Sequence, residues 1–198
     1  MKPILSILIP TRGRAERLIK SMESFRTAML EESYEFRVKI DDDDFGTLER
    51  IEEIKSVHPN VTIYKSPRRG GWGMFNVFCT EMAADTESDW LLLWNDDATW
   101  FGLGLDETLK QVPLEGFVAM AEFHRYGPST YHKDQGGPFP IVPNKIWEKF
   151  GMKEIPFPPD TGFWQLLIHD NHWQHYWLMG HTFWHDRDND SKISEYRK

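Results

Sequence analysis

Three short clusters in this chain carry the residue types that chemistry on a charged, phosphate-bearing ligand requires. Asn95-Asp96-Asp97 sets carboxylates directly after the apolar run WLLLW at residues 90–94. Hard divalent cations such as Mg2+ or Mn2+ take oxygen ligands, often one or two carboxylates with substrate phosphates completing the shell. The triplet therefore reads either as a cation site bridging protein and diphosphate or as a solvated acidic turn. Asp41, Asp42, Asp43 and Asp44 form a denser cluster. Adjacent carboxylates repel unless a cation, Arg12 or Arg14 from the first polar turn, or donor groups on a ligand offset the charge. Arg68-Arg69-Gly70-Gly71-Trp72-Gly73 precedes a helical pattern. Its glycines permit close backbone approach, its arginines offer charge-assisted donors to phosphate, and a helix N-terminus favours anions. The stretch lacks the Gly-Lys-Ser/Thr of a P-loop, and no GxGxxG follows the first apolar run, which disfavours a dinucleotide enzyme.

Other chemistry-bearing residues are more scattered. Asp160 follows a run of prolines and precedes an apolar stretch, a position that suits a helix N-cap or a general base at a cleft rim. Five histidines lie between His169 and His185. The spacing of His181 and His185 would place both on one helical face, where one of them would complete an oxygen-rich metal site. No CxxC or HExxH accompanies them, so a structural zinc site is not expected. Trp72, Trp100, Trp147 and Trp164 read as stacking surfaces for sugar or as core. Cys79 reads as a small core residue.

The clusters act together only if the fold gathers them. Residues 4–9 (ILSILI) form a near-continuous apolar run ended by Pro10, as in a strand buried on both faces. A helical pattern follows from Ala15, with Leu18, Ile19, Met22 and Phe25 on one face. Residues 36–40 predict a strand, 47–57 a helix, 61–64 a strand, 74–84 a helix and 90–94 the most apolar strand of the chain. This alternation predicts an α/β fold with an open, mostly parallel sheet and helices on both faces. Ligands in such sheets bind outside the carboxyl ends of the strands. All of the polar clusters follow predicted strand ends, so they should converge on one edge. In the second half, residues 116–123 predict a strand, 126–139 a long lid-like loop, 143–150 a short helix and 161–170 a helix. Residues 172–185 give no clear pattern, and 186–198 form a polar tail.

The 198 residues suit a single domain, with donor binding expected in about residues 1–100 and an acceptor and lid part in about 101–185. No apolar run approaches the roughly 20 residues of a membrane span, no signal-peptide pattern opens the chain, and one cysteine excludes an internal disulfide. These features predict a cytoplasmic protein. A net charge of −8 argues against broad nucleic-acid binding.

Taken in order, the clusters resemble the GT-A glycosyltransferases, especially family-2-like enzymes. Residues 6–14 (SILIPTRGR) look like that family's opening strand and nucleotide-binding turn, and Lys39-Ile40-Asp41-Asp42 like its second acidic strand end. Arg69-Gly70-Gly71 with Asn76 resembles its Gly-rich loop and helix, and residues 91–97 (LLLWNDD) the strand leading into its DXD motif. Residues 139–151 followed by Pro159-Asp160-Thr161-Gly162 resemble its acceptor-side helix and downstream acidic motif. Asn95 stands at the first DXD position, and Pro159 precedes Asp160 where the family has an acidic residue. The resemblance implies a metal-dependent transfer of a sugar from a nucleotide diphosphate sugar, a UDP-sugar first, to an acceptor hydroxyl with inversion. It implies that Pro10, Thr11, Arg12 and Arg14 line the nucleotide with Arg69, Gly70 and Asn76. Asp41, or else Asp43, would accept from the base, and Asn95 and Asp96 would sit near ribose and metal. Asp97 would ligate Mn2+ or Mg2+, with His181, or else His185, as a late ligand, and Asp160 would be the catalytic base. The acceptor stays open. Two other classes compete: a non-catalytic nucleotide-sugar binding module or subunit, and a sugar-phosphate nucleotidyltransferase.

Overall fold

A computed structural model describes residues 2–31, 33–69, 74–124, 127–128, 139–150 and 174–185. The apolar run at the N-terminus forms β1 (Leu5–Thr11), buried along nearly its whole length. It leads into α1 (Ala15–Ala28), β2 (Tyr34–Asp41), α2 (Phe45–Leu48), α3 (Ile51–Ser56), β3 (Val61–Ser66), α4 (Met74–Ala83) and β4 (Trp90–Leu93). Then come β5 (Ala98–Phe101), α5 (Leu105–Gln111), β6 (Gly116–His124), β7 (Gly127–Pro128), β8 (Ile141–Pro143), α6 (Asn144–Phe150) and β9 (Gln174–His185). The single helix expected over residues 47–57 is two short ones, because Arg50 leaves helical geometry at φ −101° and ψ 14°. Residues 98–111 and 172–185, unassigned from sequence, contribute β5, α5 and β9. The helix expected at residues 161–170 and most of the loop expected at 126–139 lie outside the described residues.

The strand order is β3-β2-β1-β4-β8-β6-β9-β5, with β7 added beside β6. The first four run parallel. Beyond them β4–β8, β8–β6 and β9–β5 are antiparallel, and β6–β9 is parallel. Alternation along the strands separates two apolar faces. Leu5, Ile7 and Ile9 of β1 and Phe36, Val38 and Ile40 of β2 pack with Leu18, Met22 and Phe25 of α1 and with Ile54 of α3. On the opposite face α4 buries Phe78, Cys79 and Met82. There the Lys39 ammonium lies 3.7 Å from the Phe78 ring centroid, and Arg37 donates to the Met82 carbonyl. Helices thus cover both faces of the parallel half.

Among the described residues the aromatic side chains are mainly core. Phe25 meets Trp94 edge to face at 5.2 Å, and Trp94 meets Phe139 at 4.7 Å. Trp100 and Trp147 are buried, which makes them core residues and not stacking surfaces for a ligand. The same cluster fixes the turn after β4. Trp94 Nε1 donates to Ser21 Oγ at 2.8 Å, and Trp100 N donates to Ser24 Oγ at 3.0 Å, both on α1.

Candidate nucleotide and cation site

The chain order β1, β2, β3 runs outward on one side of β1, while β4 adds on the other side. Between β1 and β4 the winding direction reverses, and the crevice outside the carboxyl ends at such a reversal is where open α/β sheets take ligands. Thr11 ends β1, and Asn95-Asp96-Asp97 follow β4 at this point. Thr11 Oγ1 donates to Asp96 Oδ2 at 2.6 Å. Arg14 Nη1 donates to Asp96 Oδ1 and to Asp97 Oδ2, both at 3.1 Å. Asp96 and Asp97 are both buried. Burial raises the pKa of Asp96 to about 6; Arg14 and Thr11 oppose that rise, and the neighbouring Asp97 charge adds to it. Asn95 is half-buried, and its carbonyl accepts from Ser21 Oγ at 3.3 Å.

The second acidic turn meets the same loop. Arg12 Nη1 donates to Asp41 Oδ2 at 2.9 Å, and Arg12 also forks onto Asp43 through both terminal nitrogens. This pairing raises the Arg12 pKa and lowers that of Asp43. Asp41 is paired on its other oxygen with Lys39, whose side chain is 2 % exposed. The repulsion expected among four aspartates is therefore offset by Arg12 and Lys39, while Arg14 serves the other turn. The sequence placed Lys39 and Asp44 in these clusters without giving either a role of its own. Asp44 accepts from Gly13 N at 2.6 Å and caps α2 by accepting from Thr47 N at 3.3 Å. An aspartate three residues before the threonine of a short helix is the signal that would have found it.

Ser66 ends β3 opposite Asp41, and its carbonyl accepts from Asp42 N at 3.0 Å. Arg68 and Arg69 follow it on the same edge. Arg68 acts electrostatically on Asp43, and Arg69 pairs with Glu81 of α4 at 2.6 Å. Pro10 lies on β1 opposite Lys39, and Asn76 lies in α4. Gly70 and Asp160 fall outside the described residues.

The helical placement expected for the two histidines needs correction. His181 and His185 lie on a strand and not on a helix. The β5–β9 register pairs Ala98 with His185 and Phe101 with Thr182. His185 thus lies opposite Ala98, the residue after Asp97, whereas His181 falls beyond the other end of β5. His181 is buried, packs 5.7 Å from the Trp100 ring, and has its pKa lowered by burial. A Cβ on Gly102 would fall 2.5 Å from His181 Nδ1, so glycine is what admits the imidazole.

The donor set at the β1–β4 reversal suits a hard cation: two carboxylates already share one positive nitrogen. Among the described residues, one trio of acidic or histidine side chains brings its ligand atoms within 4.8 Å of one another, Glu31, Asp106 and Glu107. That trio closes the end of α1. Asp106 accepts from Leu30 N and Glu31 N, and Lys110 pairs with Glu31 and Glu107.

No family model matches the chain, and no curated protein matches it in sequence. Solved structures do match in shape. S. aureus TarS 1-349 superposes with a TM-score of 0.72 at 12% identity over 93% of this chain and 60% of that one. Mannosyltransferase PcManGT from Pyrobaculum calidifontis, in complex with GDP-Man and Mn2+, gives 0.72 at 12% identity over 98% and 60%. TarS 1-349 with UDP-GlcNAc gives 0.70 at 13% identity over 93% and 58%. The chain spans about 60% of the length of these structures. Among the described residues no helix is long and apolar enough to cross a membrane. With its strand order, two-sided helical cover and these superpositions, the chain has the fold of the GT-A glycosyltransferases.

Proposed function

We propose that the chain is a glycosyltransferase that takes a sugar from a nucleotide diphosphate sugar, with Mn2+ or Mg2+, and passes it to an acceptor hydroxyl with inversion. The observation that carries this reading is the bonded set Thr11, Arg14, Asp96 and Asp97 across the β1–β4 reversal. The structural neighbours support it: one is complexed with GDP-Man and Mn2+, another with UDP-GlcNAc.

In this reading Asp97, with Asp96 beside it, holds the cation, and of the two candidate late ligands, His181 and His185, the strand register that sets His185 opposite Ala98 supports His185. When bound, the cation supplies Lewis-acid neutralisation of the departing diphosphate. Arg68 and Arg69 stand on the same edge to stabilise phosphate charge. Asp41, oriented from both sides by Arg12 and Lys39, accepts a hydrogen bond from the base, and Pro10, Thr11 and Arg12 line it. Gly70 and Asn76 belong to the same donor-binding part. Asp160 takes the proton from the attacking hydroxyl.

A thermal-shift panel of UDP-, GDP-, CMP- and dTDP-sugars with and without Mn2+ tests the reading, because a bound ligand raises apparent stability by mass action. The expected result is a shift that needs both one donor and Mn2+. No shift from any pair would overturn it.

A further inference from the structure

Arg14 occupies a position that local helix chemistry disfavours. It is the N-cap of α1, it makes no side-chain capping bond, and its φ and ψ are −136° and 35°. Ser, Thr, Asp and Asn are the residues that stabilise an N-cap, and a cation there opposes the positive end of the helix dipole. A residue that breaks both rules is held by something else. Here that is the pair of buried carboxylates on the turn after β4. An arginine's planar fork can grip one carboxylate with two nitrogens. Here a single nitrogen spans two carboxylates, 3.1 Å from Asp96 Oδ1 and 3.1 Å from Asp97 Oδ2. That is the place a point cation would take. The Arg14 side chain keeps 14% of its surface exposed.

We propose that Arg14 is a resident counter-cation of Asp96 and Asp97, which a divalent ion displaces as the donor's diphosphate draws the guanidinium away. The proposal rests on the reading of Asp96 and Asp97 as the cation site. Two positive charges cannot share one carboxylate pair at low dielectric cost, so metal and Arg14 compete while the diphosphate is absent. With a diphosphate present, the guanidinium gains an anion of matching geometry, and the competition is relieved. Arg14 thereby couples metal binding to donor binding and keeps the buried carboxylates paired between turnovers.

The test is Mn2+ binding, read by electron paramagnetic resonance as loss of the aqueous Mn2+ signal, on the full chain with and without UDP. Wild type should bind Mn2+ weakly alone and more tightly with UDP. Arg14→Ala and Arg14→Gln should bind Mn2+ alone at least about tenfold more tightly than wild type, about 1.4 kcal/mol, and should gain less from UDP. Arg14→Lys, which keeps a cation, should stay near wild type. If neither neutral variant binds Mn2+ more tightly alone, the counter-cation role is wrong; Arg14→Gln carries the comparison should Arg14→Ala fail to fold. The two readings separate cleanly. Wild type that binds UDP and Mn2+ together with no effect of Arg14 keeps the donor site and removes this role. Neutral variants that gain Mn2+ affinity in a protein that binds no nucleotide keep the role and remove the donor.

Discussion

Thr11 Oγ1 donates to Asp96 Oδ2 at 2.6 Å, and this bond ties the end of β1 to the turn after β4 across the reversal of the sheet. It joins residues 85 positions apart, so it reports the fold and not local sequence. Replacing Thr11 with Val keeps the shape and removes the donor. Asp96 is buried, so its oxygen then lacks that donor, and the loss should be about 1–3 kcal/mol. Urea denaturation of Thr11→Val against wild type measures it, and an unchanged midpoint would show that the bond does not hold the two ends together.

Lys39 and Asp41 give an asymmetric pair of outcomes. Asp41→Asn leaves a buried ammonium facing an amide and should cost about 3 kcal/mol or more, as for breaking one side of a buried ion pair. Lys39→Met leaves Asp41 with Arg12 and places an apolar chain against Phe78, so its cost should be clearly smaller. Paired denaturation curves decide this, and equal losses would mean that Arg12 does not hold Asp41.

His181 predicts a pH dependence of stability. Burial lowers its pKa below the ordinary 6.5, so the unfolded chain takes up the proton more readily than the folded one. Its contribution is complete above pH 6.5 and is lost as the pH falls below that value towards the folded pKa. His181→Gln removes the titrating group, so the drop in melting temperature between about pH 7.5 and about pH 5.5 should shrink relative to wild type. A drop of the same size in both proteins would remove His181 as its source.

Much of this architecture was legible in the residues. The β-α-β alternation of the first hundred residues, the buried runs at residues 4–9 and 90–94, and polar turns at strand ends were enough to bring Arg12, Arg14, Asp41 and Asp97 to one edge. The pairing within that edge was not legible. Which arginine meets which turn depends on the strand order β2-β1-β4, a property of the whole sheet, so Arg14 goes to Asp96 and Asp97 while Arg12 goes to Asp41 and Asp43. The histidine strand was illegible for another reason. A four-residue spacing fits one face of a strand as well as one face of a helix, and the dense aromatics around His181 and His185 hid the period. β5 is only four residues long, too short for alternation to show, and the position of His181 far from Asp97 follows from its register.

The central claim is that Asp97 holds a cation required for sugar transfer from a nucleotide diphosphate sugar. The most direct measurement is release of nucleoside diphosphate from the sugar nucleotide that stabilises the protein, followed with Mn2+ titrated into wild type and Asp97→Ala. The account predicts Mn2+-dependent turnover in wild type and a loss of at least about a hundredfold in Asp97→Ala. Equal turnover by the two proteins at low Mn2+ would contradict it.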